Sequence, residues 1–185
     1  MSDELRDATI AILVADGFEQ VEMTGPRRAL DEAGARTVLI SPKSGRVQGM
    51  NHDEKGDTFN VDRTLDSVAA QDFDALVLPG GVANPDKLRT IPAAVKFVSS
   101  FASEGKPIAA ICHGPWMLVE SGAVKGATIT SWPSLKTDVT NAGGNWVDRE
   151  VVVDGMLVTS RKPDDIPAFN KKMLELFSSA IAQKA

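Results

Sequence analysis

Cysteine is almost absent from this sequence, with Cys112 its sole representative. That excludes an internal disulfide framework, and with no paired Cys or Cys/His cluster no metal site is expected. Histidine is nearly as scarce: only His52 and His113 titrate near neutral pH, which narrows any acid–base chemistry. Long apolar runs are missing too. Ala75–Leu78 and Ile108–Ile111 fall far short of the ~20 residues that cross a bilayer. The opening MSDELRDATI is acidic and lacks an apolar core of signal-peptide length, so a cytoplasmic protein without membrane contact is expected. Positive charge is in deficit, with a net charge of −5 and Lys and Arg scattered rather than striped, so nucleic acid is not an expected partner. A G-x-G-x-x-G fingerprint is lacking after the first apolar run, which argues against a flavin or dinucleotide carrier; no cofactor is expected. There is no internal repeat, low-complexity tract or linker. With 185 residues, 43% of them hydrophobic, one compact domain over 1–185 is expected.

Short β-branched runs alternate with segments of helical period, the pattern of a mostly parallel sheet covered by helices on both faces. The reading is a three-layer α/β/α sandwich. Strands are predicted at Thr9–Val14, Arg36–Ser41, Asp74–Leu78 and Pro107–Ile111. A hairpin is predicted over Val151–Val158, turning on Asp154-Gly155 as a type I′ central pair. Helices are predicted at Met23–Ala33, closed by Gly34, at Pro92–Glu104, closed by Gly105, at Gly114–Gly122 and at Ile166–Ile181. Pro42–Asp57, rich in Gly, Asn and charge, reads as turns and a surface excursion that includes His52.

In an open α/β sheet ligands sit beyond the carboxyl ends of the parallel strands. Three such ends carry Asp16-Gly17-Phe18-Glu19, Gly80-Gly81 and Cys112-His113-Gly114. A thiol at a strand-to-helix turn lies near the positive end of the helix dipole, which favours thiolate. Gly80 and Gly81 can bring bare N–H groups against a developing oxyanion. Glu19 can hydrogen-bond the sulfur if burial raises its pKa, and His113 can shuttle protons.

Each residue also has an ordinary structural role. Cys112 can be a small buried hydrophobe, His113 a structural donor, and Gly80-Gly81 a tight turn. Glu19 and Glu22 can be solvated acids at a helix start, and His52 a surface side chain. Trp116 and Trp132 can be core or interface anchors rather than a binding platform.

Taken jointly, Ala110-Ile111-Cys112-His113-Gly114-Pro115, Ala75-Leu76-Val77-Leu78-Pro79-Gly80-Gly81 and Phe18-Glu19-x-Val21-Glu22 resemble the ThiJ/PfpI family. Glu104-Gly105-Lys106-Pro107, Thr130-Ser131-Trp132-Pro133, Asn141-Ala142-Gly143 and Val151-Val152-Val153-Asp154-Gly155 follow in family order, so the resemblance covers nearly the whole chain. It is closest to the PfpI-type branch, described variously as intracellular proteases, general stress proteins, cofactor-free glyoxalases and deglycases.

The resemblance implies a flavodoxin-like fold, similar to class I glutamine amidotransferases. It also implies Cys112 as elbow nucleophile, Glu19 as the carboxyl on its sulfur and His113 as acid–base partner. Asp86, just after the diglycine loop, matches a carboxylate that reaches the histidine of a neighbouring subunit, so at least a homodimer is implied. Here Asp replaces the archaeal Glu and the loop has an extra residue. Trp132 stands where relatives often carry Tyr. The implied activity is cysteine-dependent chemistry on small aldehydes or their protein adducts. Peptide hydrolysis is the second enzymatic reading, and a redox-sensing stress protein or holdase working through Cys112 oxidation is the non-enzymatic one.

Overall fold

The computed structural model describes residues 4–184. In chain order its elements are β1 (Thr9–Leu13), β2 (Phe18–Glu19), α1 (Gln20–Glu32), β3 (Arg36–Ser41), β4 (Arg46–Asn51), β5 (Glu54–Asn60), β6 (Arg63–Thr64) and β7 (Ala75–Leu78). There follow α2 (Ala83–Leu88), α3 (Pro92–Ser103), β8 (Ile108–Ile111), α4 (Trp116–Glu120), β9 (Thr128–Ile129), α5 (Lys136–Asn141), β10 (Asn145–Trp146), β11 (Val151–Asp154), β12 (Leu157–Ser160) and α6 (Ile166–Ala182).

The central sheet has seven strands in the order β11-β12-β8-β7-β1-β3-β6, all pairing parallel except β11 with β12. Its middle strands β8, β7 and β1 are apolar apart from Thr9 at the start of β1, because both faces are covered, as parallel sheets require. Side chains alternate between those faces. Ala11, Leu13, Leu76, Leu78, Ile108 and Ala110 pack with Phe97, Val98 and Phe101 of α3 on one side. Ile10, Ile12, Ala75, Val77, Ala109 and Ile111 pack with Met23 and Leu30 of α1 and Phe169, Met173 and Phe177 of α6 on the other. This is the expected three-layer α/β/α sandwich. Among the described residues no helix is long and apolar enough to cross a membrane.

The chain runs from β1 outward through β3 to β6, then returns to the opposite side of β1 with β7 and β8. Strand order therefore reverses at β1, and the loops after β1 and β7 diverge there to leave a crevice.

Two readings need correction. Residues 42–57 are not an irregular excursion, since β4 and β5 form an antiparallel hairpin whose β4 also pairs with β2. The composition conceals the strands because their stabilisation is polar. Arg46 donates to Thr58 and Asn60, and Gln48 Nε2 donates to the carbonyls of Gly49 and Gly56. The β11–β12 turn is also displaced by one residue. Asp154 pairs with Leu157, so the central pair is Gly155-Met156, with positive φ (57°) at the first position only, as in a type II′ turn.

Candidate active site

The strand ends meet as expected, and the backbone at Cys112 explains how. Strict alternation would put Cys112 on the Ala110 side of the sheet. Its φ of 61° instead turns it to the Ile111 side, above the start of α1. A non-glycine residue held in the left-handed region costs on the order of 1–3 kcal/mol and persists only when its surroundings fix it. Here Cys112 N–H donates to Ser160 O (3.0 Å), and Cys112 O accepts from Trp132 N–H (2.9 Å).

The carboxyl beside the Cys112 side chain is Glu22, not Glu19: a Cβ built on Gly80 would meet both Glu22 Oε2 and Cys112 Cβ. Glu22 is fully buried, its Oε2 accepts the Gly80 N–H at 2.8 Å, and its Oε1 has no hydrogen-bond partner among the described residues. Burial pushes the Glu22 carboxyl up to about 8, so it carries a proton at neutral pH. Glu19 ends β2, and its two oxygens accept the His52 N–H at 3.3 and 3.1 Å. The sequence holds a signal for this assignment. Helix α1 begins three residues before the predicted start, which puts Glu22 in phase with the buried stripe Met23, Pro26 and Leu30.

The surroundings of Cys112 oppose the acidification expected from its helix dipole. Burial pushes the Cys112 thiol up, and the neighbouring Glu22 charge adds to that. The backbone N–H groups of Gly81 and His113 pull the other way. Helix α4 starts only at Trp116 and has five residues, too little to dominate a desolvated sulfur. Sulfur and carboxyl form one coupled unit. A proton on Glu22 removes the negative charge that opposes ionisation of the sulfur, and the Gly81 and His113 N–H groups favour its anion.

His113 Nδ1 lies 3.2 Å from Cys112 Sγ, so these adjacent side chains do face each other. Burial lowers the His113 pKa, leaving a neutral imidazole. Its ring stacks on Trp132 (5.9 Å between centroids, 23°) and meets Trp116 edge to face (5.1 Å, 65°).

The diglycine is required by space. A Cβ on Gly80 would overlap Glu22 Oε2 and approach Cys112 Cβ to 2.7 Å. Gly81 has φ 76°, and a Cβ there would strike the Gly17 carbonyl. The Gly80 N–H is occupied by Glu22, so of the proposed oxyanion pair only Gly81 keeps its N–H to favour an anion on the sulfur, together with the N–H of His113. Asn84, which the sequence reading passed over, anchors this loop by accepting from Ala15 N–H and donating to the carbonyls of Pro79 and Gly80.

The elements enclose a cleft of about 560 Å³ lined in part by Glu19, Glu22, His52, Cys112, His113 and Trp132. Trp132 is 39% exposed and forms a wall. Trp116 stands behind His113, its Nε1 donating to Asp138, and does not line the cleft. Asp86 is exposed on α2, and its side chain makes no hydrogen bond or ion pair among the described residues.

Residues 8–176 match the model of the DJ-1/PfpI family. The chain belongs to that family. It is 44% identical to a deglycase from Pyrococcus abyssi over 90% of this chain and 98% of the relative. It is 42% identical to protein/nucleic acid deglycase 2 of Escherichia coli over 92% and 98%. Among solved DJ-1/PfpI structures, a two-domain protein from Anabaena variabilis with DJ-1/ThiJ/PfpI-like and ferritin-like domains superposes with a TM-score of 0.86 at 34% identity. The match covers 91% of this chain and 48% of that one. Drosophila melanogaster DJ-1beta superposes with a TM-score of 0.82 at 28% identity, over 99% and 97%.

Proposed function

We propose that this protein is a cytoplasmic, cysteine-dependent enzyme that converts reactive 2-oxoaldehydes such as methylglyoxal, and their early adducts on amines, to 2-hydroxy acids. One observation carries the reading: a thiol on a strained elbow lies 3.2 Å from a histidine nitrogen and beside a fully buried carboxyl, Glu22. That set moves protons without a cofactor. The deglycase names of relatives at 42–44% identity support it.

With the proton on Glu22, Cys112 Sγ adds to the aldehyde carbon, and the aldehyde oxygen takes a proton to give a hemithioacetal. From an amine adduct the same species arises when sulfur replaces nitrogen at the carbinol carbon. The C–N electron pair leaves with the nitrogen, which takes the proton. The hydrogen on the former aldehyde carbon is then removed as a proton and delivered to the neighbouring ketone carbon. This oxidises the first carbon and reduces the second within one molecule and leaves a thioester. Water cleaves the C–S bond, releasing 2-hydroxy acid and thiol. Glu22 Oε1, lacking a partner, and His113 Nδ1 are the atoms suited to carry that proton. The N–H groups of Gly81 and His113 stabilise the charge on oxygen.

The reading includes a homodimer in which Asp86 of a second copy orients His113. It is supported by the exposed, unengaged Asp86 side chain.

The test is lactate formation from methylglyoxal, followed by proton NMR. Wild type should produce lactate and Cys112→Ala should fall to the buffer rate. Full activity in Cys112→Ala overturns the proposal. Casein cleavage abolished by Cys112→Ser, in a protein that makes no lactate, replaces it with peptide hydrolysis.

A further inference from the structure

Cys112 is fixed by two backbone hydrogen bonds and Glu22 by the Gly80 N–H. The His113 imidazole has no such anchor. Among the described residues its only polar contact is the one between Nδ1 and Cys112 Sγ at 3.2 Å. The terminal torsion of a histidine side chain is broad, so a ring with one polar contact can turn and exchange its nitrogen and carbon edges. The proton transfers assigned to His113 need Nδ1 toward the sulfur, so other contacts must keep it there.

Two indoles make those contacts. Trp132 lies nearly parallel to the imidazole (23°, centroids 5.9 Å apart), and Trp116 stands at 65° with centroids 5.1 Å apart. Rings at two inclinations restrict an imidazole in more directions than either does alone. The two differ in how they are held. Trp132 is an exposed wall of the cleft, whereas Trp116 is half-buried outside it and anchored by side chains from three helices. Its Nε1 donates to Asp138 Oδ2 of α5 at 2.9 Å. The Arg89 guanidinium, at the end of α2, lies 5.2 Å from the indole centroid. Arg89 is itself fixed, since its Nε and Nη2 donate to Glu120 Oε2 of α4 at 3.2 and 3.1 Å. The Trp116 N–H donates to the His113 carbonyl at 3.0 Å, closing a turn that brings side chains three residues apart to one side.

We infer that Trp116, oriented by Asp138 and Arg89, is a positioning residue that holds the His113 imidazole with Nδ1 toward Cys112. The inference rests on the proposed chemistry of Cys112 and His113, and it assigns a task to an indole that does not line the cleft. Trp116 cannot touch the substrate from there, so its effect falls on turnover and not on substrate binding.

The first test is lactate formation from methylglyoxal. Trp116→Leu should lower kcat and leave KM unchanged. The fall should be about tenfold, less than the ~100-fold of a fully misplaced group, because Trp132 still stacks on the imidazole. Trp116→Phe keeps a ring beside His113 and should retain more activity. Asp138→Leu should lower kcat several-fold in wild type but have no effect in the Trp116→Phe background, where residue 116 has no N–H to donate. Asp138→Asn keeps an acceptor and should lose less than Asp138→Leu. This cycle decides the matter if Trp116→Leu does not fold.

The second test is nitrogen-15 NMR of labelled histidine at a pH where the imidazole is neutral. His113 should show one tautomer in wild type and a mixture in Trp116→Leu, while the exposed His52 is the same in both. Loss of packing alone would not mix the tautomers. This readout needs no turnover, so it stands even if wild type makes no lactate. A kcat within about twofold of wild type in Trp116→Leu, a loss through KM, or a single His113 tautomer in that variant overturns the inference. So does an effect of Asp138→Leu that persists in the Trp116→Phe background.

Discussion

Two non-glycine residues line the cleft in the left-handed backbone conformation, Cys112 at φ 61° and His52 at φ 57°. They face opposite conditions. Cys112 is 7% exposed, its backbone N–H and carbonyl are both hydrogen-bonded, and it ends a strand of four fully buried residues. His52 is the first of two residues turning the β4–β5 hairpin, its side chain is 83% exposed, and its N–H is held by the carboxylate of Glu19. Similar backbone strain is thus fixed on one wall by packing and on the other by a single polar contact. The first wall is suited to holding reacting atoms, because buried groups in close contact have few alternative positions. The second, exposed and held at one point, has more freedom to move.

The strongest way to break the packed wall is Gly80→Ala. The added methyl would sit 2.7 Å from Cys112 Cβ and overlap Glu22 Oε2, so neither the sulfur nor its acid can keep its place. Overpacking of this kind costs about 1–3 kcal/mol. A displaced catalytic atom lowers turnover by about 100-fold. Denaturant unfolding and lactate formation should show both losses. Unaltered activity would mean that the loop relaxes freely and that the wall is not rigid.

Glu22→Gln tests the electrostatics of the same wall with little change in shape. Glu22 is held at about 8 against an ordinary value of 4.5. Below 4.5 it is protonated folded and unfolded alike, so it has no effect on the pH dependence there. As pH rises from 4.5 toward 8 the unfolded chain releases this proton while the folded chain keeps it, so wild-type stability falls and levels off above 8. Glutamine cannot titrate. The stability of Glu22→Gln relative to wild type should therefore rise across that window, and the difference between the two proteins cancels opposing groups such as His113, whose pKa burial lowers. A difference independent of pH would show that Glu22 ionises normally and would remove its role as proton carrier. In activity the same variant should lose about 100-fold or more, the usual worth of a positioned acid–base group.

Legibility in the sequence followed the same division. The runs ALVL and IAAI could be assigned to the sheet interior because continuous apolar stretches have few other uses, and with them came the positions of Gly80, Gly81, Cys112 and His113. The hairpin was hidden because RVQGMN and EKGDTFN derive their pairing from contacts distant in sequence, among them Gln20 bridging to Asp57. The exchange of Glu19 for Glu22 has a related cause. Glu19 belongs to a two-residue strand defined only by its pairing with β4, so without that hairpin α1 is read three residues late and the phase of Glu22 with the buried stripe is missed.

The smallest expected effect lies on the polar wall. His52→Gly removes a side chain from a left-handed turn position, which relieves about 1 kcal/mol of strain. Glycine's greater freedom in the unfolded chain offsets roughly half of that. The Glu19 contact runs through the backbone N–H of residue 52, so it survives the substitution. A net gain of about 0.5 kcal/mol is therefore expected, seen as a slightly higher denaturation midpoint. His52→Ala keeps the strain, loses only the imidazole and should be neutral or slightly destabilising. If His52→Gly instead loses more than about 1 kcal/mol, the imidazole beside Glu19 is holding the turn, and the two walls differ less than their burial suggests.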